Sequence, residues 1–476
     1  MGNQFKSKFE ECTQGEDFLV NTFEWVRSAR CLMIISRREA LWSLMGISWV
    51  GKSWGEDWPW WRGLRGDGTW KGPRLPERWP SSELRVVWQR EVGGGYAGVS
   101  VRGQRLVTMD FETAQPKITQ SEAPQREEVQ GYERVLCFSV VDGRLLWQHK
   151  YPVIYGRLGG YANGPRSTPV LSADNKVYTL GAVGHLHCYD LTDGKVLWSI
   201  DSVRELGARV PEWGFAGSPL LDGDRLIVHL GAIDNGCVIA LDRHSGKRIW
   251  KALEDPAGYC NPIIFPTPAG RLLVVWTPHH IHALEATTGR PLWKVPYPVT
   301  YGVSIATPLL QEDILVVSGY WEGTKAIRVG PRLEDHELIW SDRRQLRALM
   351  AQPLYRDGYG FLLDKDYGLT CFEWRTGKKI WDDDNQLTPR GRNPHASIIW
   401  TGQDNQALAL NAVGELVLLR LHHRGYEESS RVKVLSDQVW GHPAFADRFL
   451  FAKTDGAEGW RHIKRCHLVC VELVPA

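Results

Sequence analysis

The sequence lacks a long apolar run, an excess of charge of one sign and closely spaced cysteines. Its 57 lysines and arginines face 55 aspartates and glutamates, so the formal net charge is +2, and the basic residues are spread along the chain. Nucleic-acid binding needs concentrated positive charge, so we expect no nucleic-acid partner. The apolar stretch at 40–51 is too short to cross a bilayer, so no transmembrane span is expected.

The nine cysteines include no C-x-x-C motif and no adjacent pair. A zinc ribbon, a covalently attached haem and a vicinal disulfide are therefore disfavoured. Cys137, Cys188 and Cys371 share one position of the hairpin repeat described below. This shared position predicts that they are small buried apolar residues.

Glycine, proline and tryptophan are abundant. The chain has 48, 26 and 23 of them, respectively. Glycine and proline divide a chain into many short elements, and large aromatic side chains stabilise the packing of those elements. This composition predicts an all-β protein with many turns.

The amino terminus contains an export pattern. The segment Ser36–Leu41 contains a twin-arginine pair, and the short apolar run after that pair has the length of a signal-peptide core. We therefore predict that residues 1–55 are an N-terminal extension with a twin-arginine-type signal, that translation starts at Met33, and that the protein is periplasmic. The alternative is an ordinary amphipathic helix.

One hairpin pattern recurs along the chain. The copies at 189–198 and 241–250 each run from an apolar strand through a glycine turn to a strand that ends in tryptophan. The repeated tryptophans lie 41 to 59 residues apart, near the period of a four-stranded blade. They are Trp88, Trp147, Trp198, Trp250, Trp293, Trp340 and Trp381, with Val434 expected in the eighth position.

A second marker, a polar residue followed by proline, precedes the first strand of most units. Each marker has eight positions along the chain, which predicts an eight-bladed β-propeller. Each blade should have four antiparallel strands, labelled A to D from the centre outwards. The strand at 84–90 has no A, B or C strand before it, so it should complete the last blade and close the ring. We expect the propeller to span 84–476 as a monomer, with 56–83 packed on it.

The hairpins resemble the pyrroloquinoline quinone (PQQ) repeat, and Trp58–Gly63 with Asn163–Pro169 resembles exported bacterial PQQ-binding-like propellers. Related folds include the quinoprotein alcohol dehydrogenases and a lipoprotein that assists outer-membrane barrel assembly. The dehydrogenases use a vicinal disulfide and a calcium shell, and this chain has no adjacent cysteines. The resemblance therefore implies a binding propeller without a cofactor, with PQQ and Ca²⁺ as the alternative.

Residues just ahead of each strand A should surround the central channel, on the face that carries the long D-to-A and B-to-C loops. Aromatic walls with an arginine, amides and imidazoles suit a polar or planar ligand. The alternative is that these side chains only plug the channel and cap strand ends. The candidate ligand-binding residues are Arg166, Trp213, Phe215, Tyr259, Asn261, Tyr301, Gln352, His395 and His442.

Metal and catalytic residues are not assigned. His280 and His282 share one face of a strand, yet solvated edge histidines are the favoured interpretation. The leading hypothesis is a non-catalytic periplasmic scaffold for a protein, peptide or polysaccharide partner. The alternatives are a diverged quinoprotein oxidoreductase and a glycan hydrolase or lyase, for which we find no suitable carboxylate pair.

Overall fold

The computed structural model describes residues 55–80, 82–113, 128–156, 158, 163–458, 462–463 and 466–475. These residues belong to one compact unit, Trp54–Ala476. Residues 1–54, which include the predicted signal, and residues 114–127, between β4 and β5 of the first blade, lie outside the described residues. Within the described ranges, no helix combines the length and apolarity needed to cross a membrane.

In that part of the chain the strands form eight antiparallel blades of four strands each, which confirms the predicted all-β propeller. Blades 1 to 4 follow chain order from A to D. Their strands are β3 (Ser100–Arg102), β4 (Arg105–Thr113), β5 (Val129–Ser139), β6 (Leu145–Tyr155), β7 (Val170–Leu171), β8 (Lys176–Leu180), β9 (His185–Asp190), β10 (Val196–Asp201), β11 (Leu220–Asp222), β12 (Arg225–Ala232), β13 (Gly236–Asp242), β14 (Arg248–Ala252), β15 (Ile263–Thr267), β16 (Gly270–Trp276), β17 (His280–Glu285) and β18 (Pro291–Pro296).

Blades 5 to 7 repeat this order, and blade 8 combines strands from both ends of the described chain. Their strands are β19 (Leu309–Gln311), β20 (Ile314–Gly319), β21 (Gly323–Val329), β22 (His336–Asp342), β23 (Leu354–Arg356), β24 (Tyr359–Asp364), β25 (Gly368–Glu373), β26 (Lys379–Asp382), β27 (Ala396–Thr401), β28 (Gln406–Asn411), β29 (Glu415–His422), β30 (Gly425–Lys433), β31 (Ala444–Ala446), β32 (Phe449–Lys453), β35 (Cys466–Glu472) and β2 (Val86–Val92).

Short elements complete the fold. A hairpin of β33 (Ala457–Glu458) and β34 (His462–Ile463) lies in the loop between β32 and β35, and β1 (Thr69–Trp70) pairs with β27. Helix α1 (Ser202–Leu206) follows β10. Its N-cap residue, Asp201, accepts a hydrogen bond from the Arg204 backbone amide.

The repeated tryptophans tie neighbouring blades together. The Trp147 indole N–H donates to the Leu191 carbonyl at 2.9 Å, and its ring lies against Gly194, where a Cβ atom would be 2.6 Å from the ring. Gly194 also has a φ of +76°, which non-glycine residues rarely adopt. Gly194 therefore serves both the turn of its hairpin and the contact with the tryptophan of the preceding blade.

The predicted burial of the three cysteines that share one position of the repeat is confirmed. Cys137, Cys188 and Cys371 are buried directly opposite the docking tryptophan of their own blade.

The prediction for Val434 is wrong. In the other blades a register shift between strands C and D lies next to the repeated tryptophan. In blade 7 the residue next to that shift is Ser430, which lies opposite Leu418, and β30 ends before Val434. The blade therefore has a serine where the others have tryptophan. Trp79, from the segment before the propeller, is buried in the adjoining core and donates its backbone N–H to the Ser430 hydroxyl at 3.1 Å.

The predicted ring closure is confirmed. β2 pairs antiparallel with β35, with Trp88 opposite Cys470, so the first propeller strand of the chain becomes strand D of the last blade. Closure pairs strand edges that would otherwise be exposed.

The segment before the propeller lies along the inner strands. Trp58 bridges to Val101 of β3, the Pro59 carbonyl accepts from the Leu171 amide, and β1 pairs parallel with β27. The strands A of blades 1, 2 and 7 thus contact this segment, which lies in the central channel.

Candidate functional site

A cavity of about 560 Å³ opens at the centre of the face that carries the D-to-A loops. All eight of these loops contribute to its wall, and the B-to-C loop of blade 5 adds Tyr320 and Trp321. The principal side chains are Trp61, Tyr96, Arg166, Glu212, Trp213, Tyr259, Asn261, Tyr301, Tyr320, Trp321, Arg392, Asn393, His395, Trp440 and His442.

The structure brings seven of the nine candidate residues to this cavity: Arg166, Trp213, Tyr259, Asn261, Tyr301, His395 and His442. Phe215 and Gln352 lie elsewhere. Phe215 packs in the core with Tyr178 and Leu180. The Gln352 amide donates to the Pro308 carbonyl at 3.1 Å.

Several marker residues before the prolines link adjacent blades. The Asn261 Oδ1 atom accepts from the Ser218 amide at 2.5 Å, and the Ser218 hydroxyl accepts from the Thr168 amide at 2.9 Å. Polar side chains at this position thus bond to backbone groups where inner strands begin: Asn261 and Ser218 accept from amides, and Gln352 donates to a carbonyl. For Asn261 and Gln352 the expected capping role is present, and Asn261 combines it with a place in the cavity wall.

The N-terminal segment supplies part of the cavity wall. Trp61 makes an edge-on contact with His442, with ring centroids 5.1 Å apart. The neighbouring Arg62 is buried and donates to the Ile398 carbonyl at 3.0 Å.

Burial lowers the pKa of His395 to about 4, so this imidazole is neutral at pH 7.

Aromatic side chains form three groups around the opening. Tyr96 stacks on Trp440 with centroids 5.6 Å apart, and Trp213 lies 5.6 Å from Tyr259. The third group contains Tyr301, Tyr320 and Trp321. Tyr301 and Trp321 are 68% and 41% exposed, so these two rings are accessible at the rim.

Charged groups in the wall are few. Of the described residues that line the cavity, Arg166 and Arg392 are basic and Glu212 is acidic. Arg166 lies over the Tyr96 ring at 5.0 Å and donates to the Gly164 carbonyl at 2.9 Å. The wall is therefore aromatic, with an excess of positive charge.

Sequence reasoning missed Trp61, Tyr96, Trp321, Arg392 and Trp440. Tyr96, Arg392 and Trp440 precede a strand A, and the same position rule would have identified them. Trp61 gave no such signal, because its place depends on the path of the N-terminal segment through the channel.

The cavity residues do not fit a calcium-bound PQQ. Ca²⁺ takes six to eight oxygen ligands, commonly including several carboxylates. Glu212 is the one acid among the described lining residues, and the side-chain oxygen of Asn261 already accepts a backbone hydrogen bond. The aromatic walls and two arginines suit a planar anion, but the lining residues that the structure describes lack a set of carboxylates for the cation.

Comparisons with known proteins agree with the fold. No curated protein sequence matches the chain. BamB from Moraxella catarrhalis is 16% identical with a TM-score of 0.52, over 82% of this chain and 97% of that one. A europium-containing methanol dehydrogenase is 12% identical with a TM-score of 0.61, over 88% and 98% of the two chains.

A quinohemoprotein alcohol dehydrogenase from Comamonas testosteroni is 12% identical with a TM-score of 0.58, over 88% of this chain and 80% of that one. At these identities the similarity concerns the fold. The family model described as outer membrane protein assembly factor BamB matches residues 131–263 and 234–423. Because these matches cover more than half of the sequence, the chain belongs to this family of PQQ-like repeat propellers.

Proposed function

We propose that this protein is a non-catalytic binding propeller that recognises an extended segment of a partner protein on its loop-rich face. The observation that carries the proposal is the cavity of about 560 Å³, whose wall combines aromatic side chains from several blades with two arginines. Interface centres are typically enriched in tyrosine, tryptophan and arginine.

The chemistry of the wall favours a segment with apolar and acidic side chains. Tyr301 and Trp321 offer exposed ring surface, on which apolar side chains can pack with little loss of rotamer freedom. Arg166 and Arg392 outnumber Glu212, so carboxylates of the partner would be attracted to the opening.

The N-terminal segment favours binding from one side. Trp58, Pro59 and β1 contact the inner strands of three blades, and Trp61 reaches the cavity wall. A partner would therefore enter from the loop-rich face, and the rigid scaffold would position the loops that meet it. Export to the periplasm by the twin-arginine route is part of the proposal and rests on Ser36–Leu41.

Site-specific photo-crosslinking in cells of the source organism tests the proposal. A photoreactive phenylalanine analogue replaces Trp321 at the rim or, as the control, Val141 in a C-to-D turn on the opposite face; the two native side chains are 41% and 61% exposed. We expect a discrete protein adduct from position 321 and none from position 141.

Adducts of equal yield from both positions, or none from position 321, would contradict a protein-binding role for this face. A carbohydrate adduct at position 321 would instead identify a polysaccharide ligand. Calcium-dependent binding of PQQ by the purified chain would support the quinoprotein alternative.

A further inference from the structure

A second polar cluster lies outside the cavity wall, between blades 3 and 4. The Asp255 Oδ2 atom is 2.8 Å from His280 Nδ1 and 2.8 Å from His282 Nε2. The ligand-type atoms of the three residues all lie within 4.8 Å of one another. The Thr277 hydroxyl donates to the same carboxylate oxygen at 2.6 Å.

The fold explains how the cluster forms. His280 and His282 are alternate residues of β17, so both side chains leave the same face of the strand. Asp255 lies in the loop that connects β14 of blade 3 to β15 of blade 4. Two imidazoles of blade 4 and a carboxylate of the loop before it thus converge.

We propose that Asp255, His280 and His282 form a binding site for a divalent transition metal ion, with Zn²⁺ as the best match. Two imidazole nitrogens and one carboxylate oxygen are a common zinc donor set, which leaves a fourth position for solvent. Tetrahedral zinc separates its ligand atoms by about 3.3 Å. Side-chain rotation that opens the present 2.8 Å contacts slightly would admit the ion.

A third histidine, His229, is buried beside these residues. Its Nδ1 atom has no hydrogen-bond partner among the described residues. The Gly258 backbone N–H donates to the His229 Nε2 atom at 3.3 Å, which holds the ring next to the loop that carries Asp255.

Blade 2 provides an internal comparison. His185 and His187 occupy the same strand C positions as His280 and His282. They lie against the ring of Tyr151, at centroid distances of 5.1 and 4.6 Å, instead of against a carboxylate. Among the described residues, the Asp255 cluster is the one group of three such ligands within metal-binding reach.

Calorimetric titration of the metal-stripped full chain with Zn²⁺ tests the site, using protein without a polyhistidine tag. We expect one equivalent of Zn²⁺ to bind. Asp255→Asn should weaken the binding about 100-fold or more, because loss of a direct ligand should cost at least as much as loss of an outer partner. His187→Gln should leave the affinity unchanged, since it alters the matching histidine of blade 2.

Two further measurements keep the test decisive if Asp255→Asn does not fold. His280→Gln alters the most exposed ligand and should cause the same loss of affinity. Titration with Co²⁺ should give the visible absorption bands of tetrahedral cobalt in the wild type and in His187→Gln, but not in His280→Gln. Absence of Zn²⁺ binding by the wild type, or wild-type affinity in folded Asp255→Asn or His280→Gln, would overturn the proposal.

Discussion

Replacing Trp88 with alanine is expected to lower the free energy of unfolding by about 4 kcal/mol, the usual cost of removing a large buried aromatic side chain. Trp88 is 6% exposed, and its indole N–H donates to the Val140 carbonyl at 2.7 Å. Its ring also lies against Gly143 of blade 1. The substitution therefore weakens the junction where β2 closes the ring.

Urea denaturation followed by tryptophan fluorescence and circular dichroism measures this effect. Val86→Ala is the matched control, since Val86 lies in the same strand but is 47% exposed. The control should change stability by less than about 1 kcal/mol. Equal effects of the two substitutions would show that Trp88 does not secure the closure.

Acidification from pH 7.5 to pH 5 is expected to destabilise the fold by about 2 kcal/mol for each strongly buried histidine. Burial lowers the pKa of His395 and of His229 to about 4, and burial with the neighbouring His149 and His185 lowers that of His187 to about 3. In the unfolded chain these groups titrate near pH 6.5. Between the folded and unfolded values the unfolded chain binds more protons, so stability falls as the pH falls.

The urea midpoint at a series of pH values checks this expectation. In His395→Gln the loss between pH 7.5 and pH 5 should be smaller by about 2 kcal/mol. His244→Gln, at an exposed turn position, is the matched histidine substitution outside the core. A wild-type midpoint that does not change over this range would contradict the neutral, buried state of these histidines.

The architecture could be predicted from the sequence because it rests on local, repeated signals. A glycine turn followed by tryptophan recurs in five hairpins, and the count of strands on either side of Trp88 required the ends to meet in one blade. Each copy packs against the neighbouring blade in the same way, so the interpretation of one copy applies to the others.

The exceptions depend on contacts between distant parts of the chain. Counting residues placed Val434 in the tryptophan slot, whereas the register of β29 and β30 places Ser430 there. Trp79 packs beside that blade from about 350 positions away in the sequence. Spacing within repeats carries no information about such a contribution from outside them.

The candidate site could likewise be predicted only in part. The position rule ahead of each strand A found seven cavity residues, because every blade presents that position to the channel. The rule does not specify which way a side chain turns, and Phe215 faces the core. Alternation along β17 identified its two histidines, but it could not identify Asp255, which lies in the loop before that blade.

The most direct test of the binding role compares two charge reversals in the protein that carries the photoreactive residue at position 321. Arg392 lines the cavity, whereas Arg424 is exposed in a C-to-D turn on the opposite face. We predict that Arg392→Glu reduces the yield of the protein adduct about tenfold, equivalent to about 1.4 kcal/mol of binding energy, and that Arg424→Glu leaves it unchanged. Equal yields from both variants would contradict recognition of the partner at the loop-rich cavity.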